Sequence, residues 1–244
     1  MQDECDIIDV VAESRGPWWI PRRSPGGWLD RRGLAAFAAH ALPSALLGAL
    51  AGGYDTFFFD RGLSALARAL GPSFRPVAEI PNERDAYIAV GALIAIVLLL
   101  AWRRRSDALA LVVLVAAVRP LLQIPKDLVD RPRPSGDLAV LDIVSDSSFP
   151  SGHVMTATTV LGLWFVLAPE VVPARLVNAV RVAAAMLIAL HMVARMWAGV
   201  HWLSDTVGGV LWASTLIAAG VAVRPALARL LAHGRRRVAG AIAD

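Results

Sequence analysis

The sequence predicts an all-α, polytopic membrane protein: a bundle of six transmembrane helices with both termini cytoplasmic and the functional site at the outer face. Three observations predict it. The 244-residue chain is 57% hydrophobic with glycine left out of the count, above the roughly 45–50% that soluble domains reach with glycine included. Its mean hydropathy is +0.57, more apolar surface than a soluble fold of this size can hide. Six apolar stretches are long enough, at roughly 17–25 residues, to cross a bilayer as helices, which satisfy their backbone groups internally.

The stretches lie near 34–53, 87–102, 107–124, 152–168, 178–195 and 205–223. The first is the weakest, because it carries His40 and Pro43. The second, AYIAVGALIAIVLLLAW, is the cleanest. Arginines set the orientation. Arg22, Arg23, Arg31 and Arg32 precede the first span, and Arg103 to Arg105 follow the second. Arg175 and Arg181 sit between the fourth and fifth, and Arg224, Arg229 and Arg235 to Arg237 follow the sixth. All four clusters fall on one side of a six-span chain, and the excess of basic residues makes that side cytoplasmic. Residues 1–33 then form a cytoplasmic N-terminal segment and 224–244 a basic cytoplasmic tail of a single 1–244 domain. The loop 54–86 lies outside, and GLSALARALGPSFRPVAEI within it reads as a short amphipathic helix on the membrane surface. The acidic start, MQDECDIIDVV, lacks the basic n-region of a cleavable signal. Cys5 is alone, so an internal disulfide is excluded. The net charge of +4 comes in clusters between apolar runs, which fits a membrane and not nucleic acid. Of 24 basic residues only Lys126 is a lysine.

The unusual residues concentrate in two outer loops that two spans separate, so the loops share a side. One loop holds Lys126, Arg131, Arg133 and Pro134 and ends in Phe149-Pro150-Ser151-Gly152-His153. The other runs from Arg195 to His201 and Asp205. Ionisable residues at a membrane boundary mark a site. Lys126, Arg133 and Arg195 offer three cations to a phosphate, arginine as a bidentate fork and lysine as a point charge. Ser151 and Gly152 stand where a loop enters the fourth span. A helix start presents free N–H groups to an anion there, Gly152 permits close approach, and the Ser151 hydroxyl adds a donor. His201 and Asp205, four apart, share a helical face. The carboxylate can accept the Nδ1 proton and leave Nε2 free to attack phosphorus. His153 is placed to protonate the leaving oxygen.

Each piece also has a plainer explanation. RPRP can be a stiff loop, PSGH a turn with a helix cap, His201-Trp202 an interfacial pair, and Asp205 a charge at a helix start. Their joint occurrence on one membrane face favours the site. His40 and His191 read as packing residues with a local hydrogen bond; Thr156, one turn below His153, can contact it but reads rather as packing between helices or bonding its own backbone.

Together the segments resemble the signature of the type 2 phosphatidic acid phosphatase superfamily, which includes bacterial lipid phosphatases and vanadium haloperoxidases. Lys126 with Arg133-Pro134, Pro150-Ser151-Gly152-His153, and Arg195 with His201 and Asp205 match it in order and spacing. Ala194 departs from it, standing where the family often has serine. The resemblance implies that Lys126, Arg133, Ser151, Gly152 and Arg195 bind phosphate, His153 is the general acid, His201 the nucleophile and Asp205 its partner. It implies a lipid phosphatase with no metal and no cofactor, acting through a phosphohistidine.

The competing classes are a metal-dependent membrane transferase and a non-enzymatic transporter. The first would use Asp127, Asp130, Asp137, Asp142 and Asp146, but these sit mostly in a loop and leave His153, His201 and Arg195 without a purpose. Arg131 is either a fourth cation at the site or the partner of Asp127 or Asp130. The arginine bias and abundant alanine point to a GC-rich bacterium. A polyprenyl pyrophosphate at the outer face of the inner membrane is the expected substrate. Phosphatidylglycerol phosphate, phosphatidic acid and decaprenyl-phosphate sugars are the alternatives.

Overall fold

A computed structural model describes residues 31–79, 113, 117, 120–135 and 147–243. All regular structure among them is helical. In chain order the helices are α1 (Arg31–Gly53), α2 (Asp60–Arg68), α3 (Arg75–Glu79), α4 (Gly152–Val171), α5 (Ala174–Trp197) and α6 (Leu203–Ala243). Residues 120–129 form a further helical segment between α3 and α4. Four helices are long and apolar enough to span a bilayer: Arg31–Gly53, Gly152–Glu170, Ala174–Trp197 and Leu203–Val223. They coincide with the first, fourth, fifth and sixth expected spans. The second expected span lies outside the described residues. So does most of the third, whose described residues are helical.

The first span forms despite its proline. Pro43 has no N–H to give to the preceding turn. Beside it the Ser44 hydroxyl donates to the His40 carbonyl at 2.7 Å and meets Thr215 of α6 at 3.0 Å. The first bond is to the carbonyl one turn before Ser44 itself, and the contact with Thr215 ties α1 to α6. Small residues then let α1 close onto α6. A Cβ at Gly33 would come within 2.6 Å of the Ala222 backbone, the close approach that membrane helices use in place of a hydrophobic drive. α6 is 41 residues long, continuous through Pro225. At 1.5 Å per residue it reaches about 60 Å, twice the apolar thickness of a bilayer. The expected tail is therefore a helical extension of the last span.

The loop after α1 is helical too, as expected for its amphipathic stretch. α2 and α3 do more than rest on a membrane surface: they dock on the end of α5. Arg68 donates to the Trp197 carbonyl at 3.0 Å and lies over its ring at 5.7 Å. The Trp197 indole donates to the Gly71 carbonyl at 3.1 Å, and Phe74 meets the same ring edge-on.

Candidate active site

Four local structures converge at one end of the bundle. The first is the end of the 120–129 helix. Lys126 sits in its last turn, and Asp130, at φ 42°, takes the left-handed conformation that stops it. The Asp130 N–H closes the turn on the Lys126 carbonyl at 3.1 Å. The chain then runs extended through 131–135 because two prolines alternate with two arginines.

The second is the segment 147–151, which pairs with that run. Ser148 N–H donates to the Arg131 carbonyl at 2.8 Å, and Arg131 N–H donates to the Ser147 hydroxyl at 3.0 Å. The Lys126 ammonium donates to the Ser147 carbonyl. Phe149 is fully buried and plugs the gap between α1 and α6, where Gly48 and Gly208 leave room for its ring.

The third is the start of α4. Ser151 is its N-cap position, Gly152 its first residue and His153 its second. The Ser151 hydroxyl caps nothing and has no hydrogen-bond partner among the described residues, although it is buried. Such a group costs free energy unless something accepts its proton. Gly209 of α6 passes so close that a Cβ there would lie 2.7 Å from the Ser151 carbonyl oxygen. A Cβ on Gly152 would lie 2.6 Å from Leu122.

The fourth is the turn from α5 into α6. α5 ends in a Schellman motif. Gly199, at φ 67°, donates to the Met196 carbonyl at 2.9 Å, and Val200 donates to the Arg195 carbonyl at 3.3 Å. The reversal keeps Arg195, in the last turn, beside His201, and both are buried (4% and 3% exposed).

The surroundings of His201 favour its neutral form. Its Nδ1 lies 2.8 Å from the Ser148 carbonyl oxygen. A carbonyl only accepts, so Nδ1 carries a proton, and in the neutral ring the lone pair is on Nε2. Burial, then the charges of Arg195, Arg133 and Lys126, push the imidazole well below the ordinary histidine pKa; the Ser148 bond opposes this only in part. Arg133 donates to the Val200 carbonyl at 2.8 Å and stands 3.5 Å from Nε2. The Nε2 side of the ring thus faces a group of cations.

The expected His201–Asp205 hydrogen bond is not formed. The nearer Asp205 oxygen is 3.7 Å from Nδ1. His201 precedes α6, so the four-residue spacing does not bring the two into hydrogen-bond contact. The carboxylate is also taken already: Trp202 N–H donates to Oδ2 at 2.8 Å and Arg131 to Oδ1 at 2.7 Å. Arg131 in turn is neither a fourth cation facing substrate nor the partner of Asp127 or Asp130. Its side chain is fully buried between Asp205 and Asp60, 2.8 Å away at the start of α2. The sequence reading missed Asp60, Ser204 and the Ser148 carbonyl. A lone acid after FFF was a faint signal for the first, and a backbone acceptor leaves none.

Lys126, Arg133 and Arg195 gather round His201, and the start of α4, which carries Ser151, Gly152 and His153, is joined to the same end of the bundle by the Ser151 N–H, which donates to the Asp205 carbonyl at 2.9 Å. His40 and His191 bond the carbonyls four residues before them, at 2.7 and 2.8 Å, as expected, and so does Thr156 at 2.9 Å.

The fold and the site define a multi-pass helical membrane protein with a cationic cluster around a buried histidine. The chain belongs to the PAP2 superfamily, whose family model matches residues 107–229. It is similar in fold to the transmembrane PAP2-type phosphatidylglycerolphosphate phosphatase of Bacillus subtilis. The TM-score is 0.58 at 23% identity, covering 77% of this chain and 94% of that one. No curated protein matches the sequence.

Proposed function

We propose that this protein is a metal-independent lipid phosphatase that removes phosphate from a phosphomonoester or pyrophosphate of a membrane lipid. The observation that carries the reading is the His201 ring: Nδ1 bonded to the Ser148 carbonyl at 2.8 Å, Nε2 turned to cations. Nε2 attacks phosphorus and the bond to the leaving oxygen breaks. His153 gives that oxygen a proton, then takes one from the water that cleaves the phosphohistidine. Lys126, Arg133, Arg195, the Ser151 hydroxyl and the N–H groups at Gly152 hold the phosphoryl oxygens. These cations do the work that a divalent ion does elsewhere. The site faces the outside of a bacterial inner membrane, where a lipid presents its headgroup while its tail stays in the bilayer.

Polyprenyl pyrophosphate remains the first choice of substrate, because it is released on that face when cell-wall glycans are polymerised. Arg131 adds no charge for a diphosphate, since its guanidinium is paired with two carboxylates. Lys126, Arg133 and Arg195 still match the roughly three negative charges of a lipid diphosphate. Phosphatidylglycerol phosphate carries a similar charge and is the second reading, favoured by what the B. subtilis neighbour acts on. The test is kcat/KM for polyprenyl pyrophosphate, phosphatidylglycerol phosphate, phosphatidic acid and a polyprenyl-phosphate sugar in matched detergent, with EDTA and with vanadate. Turnover persists in EDTA, vanadate inhibits, and polyprenyl pyrophosphate leads. A strict Mg²⁺ requirement overturns the chemistry. A preference for a glycerolipid overturns only the choice of substrate.

A further inference from the structure

Asp60 lies outside every segment that carries the family resemblance, yet it is fully buried beside the site. It opens α2, on the far side of the sequence from His201. Its Oδ1 accepts the Ser204 backbone N–H at 3.0 Å and the Ser204 hydroxyl at 2.9 Å. Its Oδ2 accepts Arg131 at 2.8 Å and the Phe57 N–H at 3.0 Å. The Ser204 N–H is one of the donors that a helix start leaves without an internal acceptor. Trp202, just before α6, has no side-chain oxygen to serve it. Asp60 therefore caps α6 from 144 residues away.

Arg131 completes the fastening. Its Nε donates to the Asp55 carbonyl at 3.0 Å, and one terminal nitrogen donates to Ser204 at 2.6 Å and Asp205 at 2.7 Å. Its guanidinium lies over the Phe57 ring at 5.0 Å. The segment 55–60 is thus bound to the first turn of α6, directly after His201.

We propose that Asp60 is a positioning residue for phosphoryl transfer: with Arg131 it fixes the start of α6, and so the place of His201 Nε2 relative to the bound phosphorus. This rests on the phosphohistidine reading. Asp60 touches neither substrate nor His201. It shares Arg131 with Asp205, so both carboxylates are tied to one guanidinium at the start of α6. The position of Nε2 matters most at the transition state, so kcat is the sensitive quantity.

The test measures kcat, KM and the inhibition constant for vanadate, whose five-coordinate form requires a well-placed Nε2. The variants are Asp60→Asn, Ser204→Ala and His201→Ala. The control is Ser44→Ala, which removes a hydrogen bond between α1 and α6 away from the site. Misplacement of about 1 Å costs up to about 100-fold, so Asp60→Asn lowers kcat and weakens vanadate by roughly 10- to 100-fold while KM stays within about twofold. Ser204→Ala moves both in the same direction by less, and Ser44→Ala moves neither. If Asp60→Asn does not accumulate as folded protein, Ser204→Ala decides by the same criteria. Kinetics and vanadate affinity equal to those of the Ser44→Ala control overturn the proposal, and so does a change in KM alone. If His201→Ala keeps releasing phosphate, the phosphohistidine reading fails and takes this role of Asp60 with it. If His201→Ala is inactive and Asp60→Asn matches the control, only the positioning role fails.

Discussion

His201 Nδ1 donates to the backbone carbonyl of Ser148 at 2.8 Å, and this bond, made across 53 residues of sequence, fixes the tautomer of the ring. A backbone acceptor cannot be removed by substitution and cannot change its protonation state. Asp205, at 3.7 Å from the same nitrogen, contributes charge and holds Arg131 and the Trp202 N–H.

Asp205→Asn should therefore be impaired but alive. Loss of one preorganised electrostatic partner costs on the order of 100-fold in kcat, while the tautomer survives through Ser148. The check is single-turnover kinetics: Asp205→Asn forms the phosphoenzyme slowly, and His201→Ala forms none. An Asp205→Asn variant as inactive as His201→Ala would show that the carboxylate, not the carbonyl, orients the ring.

The pH dependence follows from the lowered His201 pKa. The reactive form is the neutral imidazole, so kcat/KM, which reports the free enzyme, should keep its His201-dependent activity below pH ~6.5, where an ordinary histidine is half protonated. The sign for stability is fixed too. Below that pH the unfolded chain binds a proton at His201 that the folded chain does not, so this group's contribution falls as pH falls. The measurements are a kcat/KM profile and thermal unfolding from pH 5 to 8. An acid limb from His201 at or above ~6.5 would contradict the assignment.

Gly209→Ala should damage the site from outside it. The new methyl meets the Ser151 carbonyl oxygen at 2.7 Å and the Met155 nitrogen at 3.2 Å, both backbone atoms that cannot rotate away. Displacing the start of α4 disturbs the phosphate site, so kcat/KM falls roughly 10- to 100-fold, with a stability loss of about 1–3 kcal/mol from overpacking. Gly62→Ala, which meets no atom within 4 Å, is the control. Equal activity in the two variants would count against the tight α4–α6 contact.

The side of the membrane is tested by labelling. Phe58, 96% exposed in the turn that cradles Arg131, is the probe for the site's side. In a chain with Cys5 replaced, a Phe58→Cys variant should react with an impermeant maleimide applied to intact cells. An Arg175→Cys variant, in the first turn of α5 at its opposite end from the site, should not. The reverse pattern would put the site in the cytoplasm and change the pool of substrate it meets.

What was legible in the sequence was what local periodicity and spacing encode. Apolar length located four of the described spans. The Lys126–Arg133, Pro150–His153 and Arg195–Asp205 segments marked out the candidate site, and the structure brings them together at one end of the bundle. What was not legible depended on contacts between distant segments. The four-residue step from His201 to Asp205 suggested a hydrogen bond, but His201 stands in the turn before α6 and finds a carbonyl instead. Arg131 read either as a cation at the site or as the partner of its sequence neighbours Asp127 and Asp130, whereas its partners are Asp60 and Asp205, 71 and 74 residues away. The close approaches at Gly33 and Gly209 were equally silent, since a glycine in an apolar helix carries no mark of what it faces.

The central claim is that phosphate passes through His201, and rapid-quench trapping with a ³²P-labelled lipid phosphate tests it most directly. Wild-type protein quenched in base during turnover should carry label on His201 that is stable to base and lost in acid, as a P–N bond requires. His201→Ala should carry none and release no phosphate. His153→Ala should still become labelled, most readily from substrates with good leaving groups. Phosphate release by folded His201→Ala at near the wild-type rate, or label on another residue of the wild-type protein, would contradict the account.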